Sequence, residues 1–415
     1  MRIDQQKSHY QPGNLLFTPY KLGPVTLRNR VIRAAAFEGM CPNNSPSDDL
    51  VNYHQAVAAG GVGMTTVAYA AVDRSGLSFP HQLWLRNEVV PKLKTLTNAV
   101  HKEGAVCSIQ IGHCGNMAKS SVTGSRSIAP TSRINLYGPT FPRAMTNTDI
   151  SSMATAFGNA VHLARVSGFD AVEVHAGHGY LISQFLSPLT NNRNDEFGGS
   201  LENRARFMRM VIKEVKHAAG SDMAVLVKMN MRDGFVGGME IKESLEVAKM
   251  LEQAGVDAIV LSGGFVSKAP MYIMRGTMPI KVLSHYMEDT LMKVFVRLFG
   301  KYLIRNETFK EAYFLEDALK FRAKLKLPLV YVGGLISLDK INEVLDKEFE
   351  MVAIARALIK DPDFIKKLLK HELSCSSCDT CNYCIAVMYT HKVACIQNED
   401  VSPEIQEMLS KETPG

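Results

Sequence analysis

The stretch "AVEVHAGHGY" (171–180) reads as a buried strand that ends on His175, His178 and Tyr180. Two imidazoles three residues apart, with a phenol two further on, can hydrogen-bond one substrate oxygen and deliver a proton. The same spacing also suits a metal pair or two satisfied core histidines, but zinc would want a third ligand and none stands nearby. Lys228 closes another apolar run, "AVLVKMN" (224–230), where it can balance an anion, join an ion pair or form a Schiff base with a carbonyl substrate. A third chemical cluster lies near the end of the chain. Cys375, Cys378, Cys381, Cys384 and Cys395 crowd one segment, while Cys41, Cys107 and Cys114 are dispersed. Thiolates at that density suit metal or cluster ligation, the alternative being a tail of free thiols.

Such groups need a scaffold that gathers them. Short apolar, β-branched runs recur at 29–36, 62–69, 105–112, 171–176, 224–230, 258–264, 329–335 and 351–358. Unbroken runs of this kind mark strands buried on both faces, as in a parallel sheet. Amphipathic stretches lie between them at 86–103, 149–167, 201–219 and 240–254, and "TNTDISSMATAF" (146–157) supplies capping residues. The repeat predicts an α/β fold, a (β/α)8 TIM barrel, whose chemistry must sit where strands end. The strand ends carry Glu38, Gln110, His113, His175, His178, Tyr180, Lys228, Gly263, Gly264, Gly333, Gly334 and Arg356. Polar and glycine residues concentrate there, as a barrel enzyme requires. Residues 266–312 form a long insertion after strand six, and residues 372–415 follow the last barrel helix. The predicted division is a barrel over 1–371 and a Cys-rich extension over 372–415.

The chain has 415 residues, 46% hydrophobic and 21% charged, which suits a globular protein with a large core. No run of about 18 apolar residues is present, so no membrane span is expected. The start, "MRIDQQKSHYQPGN", is polar and lacks the apolar stretch of a secretory signal. The formal net charge of +6 comes from scattered, largely matched charges, which argues against nucleic acid as a partner. The uneven cysteines point to a reducing cytoplasm rather than secretion. A small-molecule substrate with no nucleic-acid or membrane partner is expected, and a homo-oligomer stays open.

The run "HAGHGYLISQFLSPLTNNRNDEFGGSLENRARF" (175–207) resembles the signature of the Old Yellow Enzyme family of FMN-dependent oxidoreductases. "LFTPYKLGPVTLRNRVI" resembles that family's N-terminal hairpin and first strand, "SIQIGHCG" its third strand and "VAIARALIKDP" its eighth. The resemblance implies that NAD(P)H reduces FMN, which then passes hydride to an alkene conjugated to a carbonyl or nitro group. It implies that His175 and His178 bind and polarise the substrate oxygen and that Tyr180, a phenol with an ordinary pKa of about 10, protonates the α-carbon. Gly333 and Gly334 would admit a phosphate to the backbone, with Arg356 pairing to it and Ala355 beside it. Gln110 would meet the pyrimidine edge, Lys228 would steady the anionic reduced flavin, and Ala36 and Tyr69 would touch the ring through backbone atoms. Relatives often place Thr or Cys near the flavin O4, whereas "RAAAFEGM" offers Ala36 and Phe37. Glu38 either replaces that contact or bonds to Arg33 or a nearby backbone group.

The cysteine segment "CSSCDTCNYCIAVMYTHKVAC" resembles the 2,4-dienoyl-CoA reductase and trimethylamine dehydrogenase branch, where four cysteines hold a [4Fe–4S] cluster. Cys381 and Cys384 stand one residue closer than that pattern. Cys378, Cys381, Cys384 and Cys395 are the candidate ligands for a cluster or for zinc, with Cys375 as a substitute. The competing readings are an electron-transfer flavoprotein module fed through that cluster and a barrel lyase using Lys228. The sequence leaves open the physiological substrate, the choice of NADH or NADPH, and the role of the insertion.

Overall fold

The computed structural model describes residues 14–135, 139–399 and 402–411; the polar start over residues 1–13 lies outside them. Eight parallel strands close into a barrel. In chain order they are β1 (Val31–Arg33), β2 (Met64–Ala71), β3 (Val106–Gly112), β4 (Ala171–Ala176), β5 (Ala224–Asn230), β6 (Ala258–Ser262), β7 (Leu329–Val332) and β8 (Met351–Ile354). Each falls inside or against one of the eight apolar runs. β8 pairs with β1 through Val352 and Val31, which closes the ring.

Helices pack outside, and their faces explain why they form. Helix Asn147–Val166 begins at a capping box in which Thr146 and Asp149 exchange side-chain and backbone bonds. Ile150, Met153, Ala154, Phe157, Val161 and Ala164 then repeat at helical spacing and are buried. Gly158 lets this helix approach the neighbouring helix Arg206–Ala219: a Cβ there would stand 3.2 Å from the Glu214 side chain. The stretch expected as one helix over 201–219 is broken at Ala205 into Leu201–Arg204 and Arg206–Ala219.

The barrel is plugged at its N-terminal end by a hairpin, Tyr20–Leu22 against Val25–Leu27. Leu22 and Leu27 join Ile32, Met64, Ala171, Ala224, Leu226, Ala258, Val260, Val330 and Met351 in one interior cluster. Alanines at the starts of β4, β5 and β6 are small enough to leave room for the two leucines. Higher in the barrel the interior turns polar, with Ser108, Gln110, Glu173, His175, Lys228, Asn230 and Ser262 all buried.

At the other end the insertion and the C-terminal segment pack together. Met271, Met278, Ile280, Val282, Leu283, Tyr286 and Val296 from the insertion share a core with Tyr383, Ala386, Val387, Ile405 and Leu409. The Asn382 amide donates to the carbonyls of Arg275 (2.9 Å) and Thr277 (3.1 Å). The same segment reaches the loop after β1, where the Val393 N–H donates to the Glu38 carbonyl at 2.7 Å. His81 meets the Met388 carbonyl at 3.0 Å. Among the described residues, no helix is long and apolar enough to cross a membrane.

Leu27→Ala should destabilise the fold by about 2–5 kcal/mol, because the cavity it opens is surrounded by strands that cannot collapse. Urea unfolding measures this, and an unchanged midpoint would show that the hairpin does not plug the barrel.

Candidate active site

The strand alternation that hides apolar residues also aims polar ones. Side chains two apart share a face, so Glu173 and His175 both point inward from β4, as Lys228 and Asn230 do from β5. Glu173 Oε1 lies 2.9 Å from Lys228 Nζ, with both side chains excluded from solvent. The Gln110 amide donates to the same carboxylate oxygen at 2.6 Å. Lys228 also reaches the Ala35 carbonyl at 3.4 Å. An amide, a carboxylate and an ammonium thus form one buried line below the mouth. The Lys228 nitrogen is thus taken up by a carboxylate and a carbonyl, which weighs against the Schiff-base reading.

Above this line His175, His178 and Tyr180 converge. The rings of His175 and Tyr180 meet edge to face at 4.5 Å between centroids, and those of His175 and His178 at 5.0 Å. His178 has φ +57°, in the left-handed region that a non-glycine residue enters only under constraint. The constraint is Asn230, whose side-chain oxygen accepts from the His178 N–H at 2.9 Å and whose amide donates to the Gly264 carbonyl. His178 Nε2 lies 2.8 Å from Ser262 Oγ, leaving Nδ1 for another partner. Gly179 follows with φ +79°, and a Cβ there would lie 2.3 Å from the Phe265 ring. Only glycine lets Tyr180 turn back towards His175.

Burial pushes both imidazoles down, His175 well below its usual value and His178 to about 3, with the Lys228 charge adding to the effect. Both rings are therefore neutral and can donate one N–H each. Tyr69 packs against Tyr180 at 5.0 Å, and its hydroxyl lies 2.7 Å from Ser78 Oγ. His113, also at a strand end, bonds instead to Ser75 Oγ (3.0 Å) and the Gly115 N–H (2.9 Å). Burial holds it near about 4, in a structural role.

At the end of β7, Gly333 and Gly334 have φ +144° and +68°. Side chains there would strike Phe314 and Tyr313 at 2.9 and 2.7 Å, so bare backbone forms this surface. Ala355 caps the short helix Arg356–Lys360. Arg356 lies over the Phe309 ring at 5.4 Å and donates to the Asn382 side-chain oxygen at 2.8 Å. The structure brings Gln110, His175, His178, Tyr180 and Lys228 together.

Two sequence expectations gain detail. Glu38 turns inward: it pairs with Arg33 at 2.6 Å and accepts from the Ala68 N–H at 3.1 Å. The Ala36 carbonyl accepts from the same arginine at 3.1 Å. The cysteines are all free, and among the described residues no group of three or more His, Cys, Asp or Glu is set to hold a metal ion. Burial pushes the Cys384 thiol up to about 12. Glu173, Asn230 and Ser262 were not anticipated. Each lies two residues from a strand-end residue that was, so alternation within the strand is the signal that exposes them.

The model of the NADH:flavin oxidoreductase / NADH oxidase family matches residues 15–294. The 4,4'-dithiodibutanoate disulfide reductase of Rhodococcus erythropolis is 39% identical over 380 residues, covering 91% of this chain and 94% of that protein. A metal reductase of Desulforamulus reducens is 28% identical over 96% of this chain, which spans only 55% of that longer protein. The old yellow enzyme homologue from Zymomonas mobilis shares the fold with a TM-score of 0.70 at 21% identity, over 94% of this chain and 98% of its own.

Removing one partner of a buried ion pair strands the other charge. Glu173→Gln should therefore cost about 3–5 kcal/mol of stability, and adding Lys228→Met should recover much of it. A double-mutant cycle by urea unfolding checks this; additive losses would show that the two do not interact. Both histidines titrate below 6.5 when folded, so their contribution to stability is complete above about 6.5 and declines as pH falls towards about 3. His178→Gln should flatten the fall of the urea midpoint over that window; an unchanged slope would mean that His178 is charged in the folded protein.

Proposed function

The chain belongs to the NADH:flavin oxidoreductase / NADH oxidase family, the Old Yellow Enzyme family, and on that premise we propose that this FMN-dependent NAD(P)H oxidoreductase delivers hydride to an electron-poor acceptor held by His175 and His178. The observation that carries the reading is the convergence of those two neutral imidazoles and Tyr180 above the buried Gln110–Glu173–Lys228 line.

The donor set fits a phosphorylated flavin. Gln110 offers a carboxamide, Lys228 a cation and Arg356 a guanidinium, while Gly333 and Gly334 let backbone approach a phosphate without a side chain between. Ala36, Tyr69 and Ala355 would meet the flavin through their backbones. When bound, FMN supplies the hydride relay between the nicotinamide and the acceptor.

The chain's own residues do the rest. His175 and His178, neutral and oriented by Asn230 and Ser262, hydrogen-bond an acceptor atom on which negative charge grows, an effect that can contribute about 3–4 kcal/mol per donor. Tyr180 holds a proton on its hydroxyl oxygen beside His175 and gives it to the α-carbon of a conjugated alkene. An alkene and a disulfide make different demands here. Hydride addition to an enone leaves a carbon that must be protonated, whereas hydride attack on one sulfur of a disulfide breaks the S–S bond and leaves one thiol and one thiolate. That thiolate takes its proton from water. The 39% identical relative is named for disulfide reduction, which supports disulfides as a second acceptor class.

A second reading is an electron-transfer module fed through the C-terminal cysteines. It is favoured by the density of Cys378, Cys384 and Cys395 along the sequence and by the metal reductase, a relative about twice as long as this chain. Cys381 would complete the ligands of a cluster or zinc site. A reducing, cytoplasmic setting suits the free thiols. The barrel over 1–371 would carry the chemistry in either reading, with 372–415 as its extension.

Rapid mixing separates the half-reactions. Tyr180→Phe should leave flavin reduction by NAD(P)H almost intact and slow reoxidation by 2-cyclohexenone by about 10²–10⁴-fold. Reoxidation by 4,4'-dithiodibutanoate should be nearly unaffected. An undiminished enone rate would remove Tyr180 from proton transfer; an equal loss with both acceptors would assign it to binding instead.

A further inference from the structure

The insertion carries a helix, Thr290–Leu303, that buries only one edge. Val296 and Gly300 face the protein, and Gly300 sits so near Ile280 that a Cβ would approach it to 2.8 Å. On the opposite side Leu291, Val294, Phe295, Leu298, Phe299 and Tyr302 are exposed, Leu291 by 84% and Tyr302 by 80%. At about 100° per residue these six occupy an arc of about 140°, along a helix about 21 Å long. Isolated exposed apolar residues are ordinary, but a contiguous stripe of large ones marks a surface that something covers. Phe141, 65% exposed, extends it across a recess that it lines together with Asp289 and Met292.

Charge selects the occupant. Lys293, Arg297 and Lys301 line one flank of the stripe, with Arg305 just beyond, and no acidic residue occurs from 290 to 306. None of the four forms a salt bridge among the described residues, although bridges are common elsewhere on this surface. A second copy of the helix would bring these bases against themselves. A convex stripe of Leu, Phe, Val and Tyr also offers a folded partner little to grip. We infer that helix Thr290–Leu303 lies in the headgroup region of an anionic lipid bilayer, with its apolar arc in the acyl boundary and its basic flank on the phosphates.

This departs from the sequence-level expectation of no membrane partner. That expectation rested on the lack of a spanning segment, whereas an interfacial helix needs only one apolar face. The root of the insertion touches the site: the Val266 N–H donates to the His178 carbonyl at 3.0 Å.

Co-sedimentation of the holoprotein with vesicles tests this. It should bind vesicles of equimolar phosphatidylcholine and phosphatidylglycerol, bind pure phosphatidylcholine more weakly, and weaken as salt is added. Leu298→Ser with Phe299→Ser, both surface positions, should reduce binding at least about tenfold while NAD(P)H-driven dye reduction persists. Arg297→Gln with Lys301→Gln should remove most of the salt-sensitive part. No binding to the mixed vesicles, or binding undiminished in the serine variant, would overturn the assignment. So would light scattering that finds a dimer which the serine variant dissociates, with no vesicle binding by the wild type.

Discussion

A glutamate and a lysine meet at 2.9 Å inside the barrel, each only 3% exposed, and much of the site's electrostatics depends on that pair. Either charge alone would be prohibitive at this depth, so each requires the other. Their strands must hold one register, in which His175 stands beside Lys228 on adjacent strands. The carboxylate also takes the Gln110 amide, which ties β3 to the same point. The lysine's field reaches upward and, with burial, keeps His175 and His178 neutral. One pair thus fixes a buried cation beside the two histidines and adds to the burial that lowers their titration.

Around the mouth, the chain solves a different problem. The loop after β4 must turn sharply to bring Tyr180 back over His175, and it does so through a left-handed histidine followed by a glycine. Asn230 bonds the His178 backbone and Ser262 its ring, so this loop is braced from β5 and β6. Farther out, the insertion and C-terminal segment share a core and bind back to the loop after β1. Arg356 belongs to both worlds, since it stands at the end of β8 and bonds to Asn382 in the cysteine segment. A change in that segment therefore has a short path to the end of β8.

The eight strands were legible because a parallel barrel buries each one on both faces, leaving apolar runs such as 224–230 that no amphipathic helix would show. His175, His178 and Tyr180 were legible because polar residues have little other reason to crowd a strand end. Glu173 was not, because it sits inside an apolar run and reads as an exception until the inward face of β4 is traced residue by residue. Glu38 allowed two readings, since nothing local says whether a carboxylate turns in or out; its distance to Arg33 decides for the inward one. The union of insertion and tail was hidden for a further reason. It joins segments about a hundred residues apart through Met, Ile and Tyr contacts that carry no motif.

We propose that the Glu173–Lys228 layer carries FMN and favours its reduced, negatively charged form. The midpoint potential of the bound flavin measures this most directly. Lys228→Met, compared with wild type by anaerobic spectroelectrochemical titration, should shift that potential to a more negative value while FMN stays bound. A potential that is unchanged or higher would leave Lys228 as a structural counter-ion to Glu173.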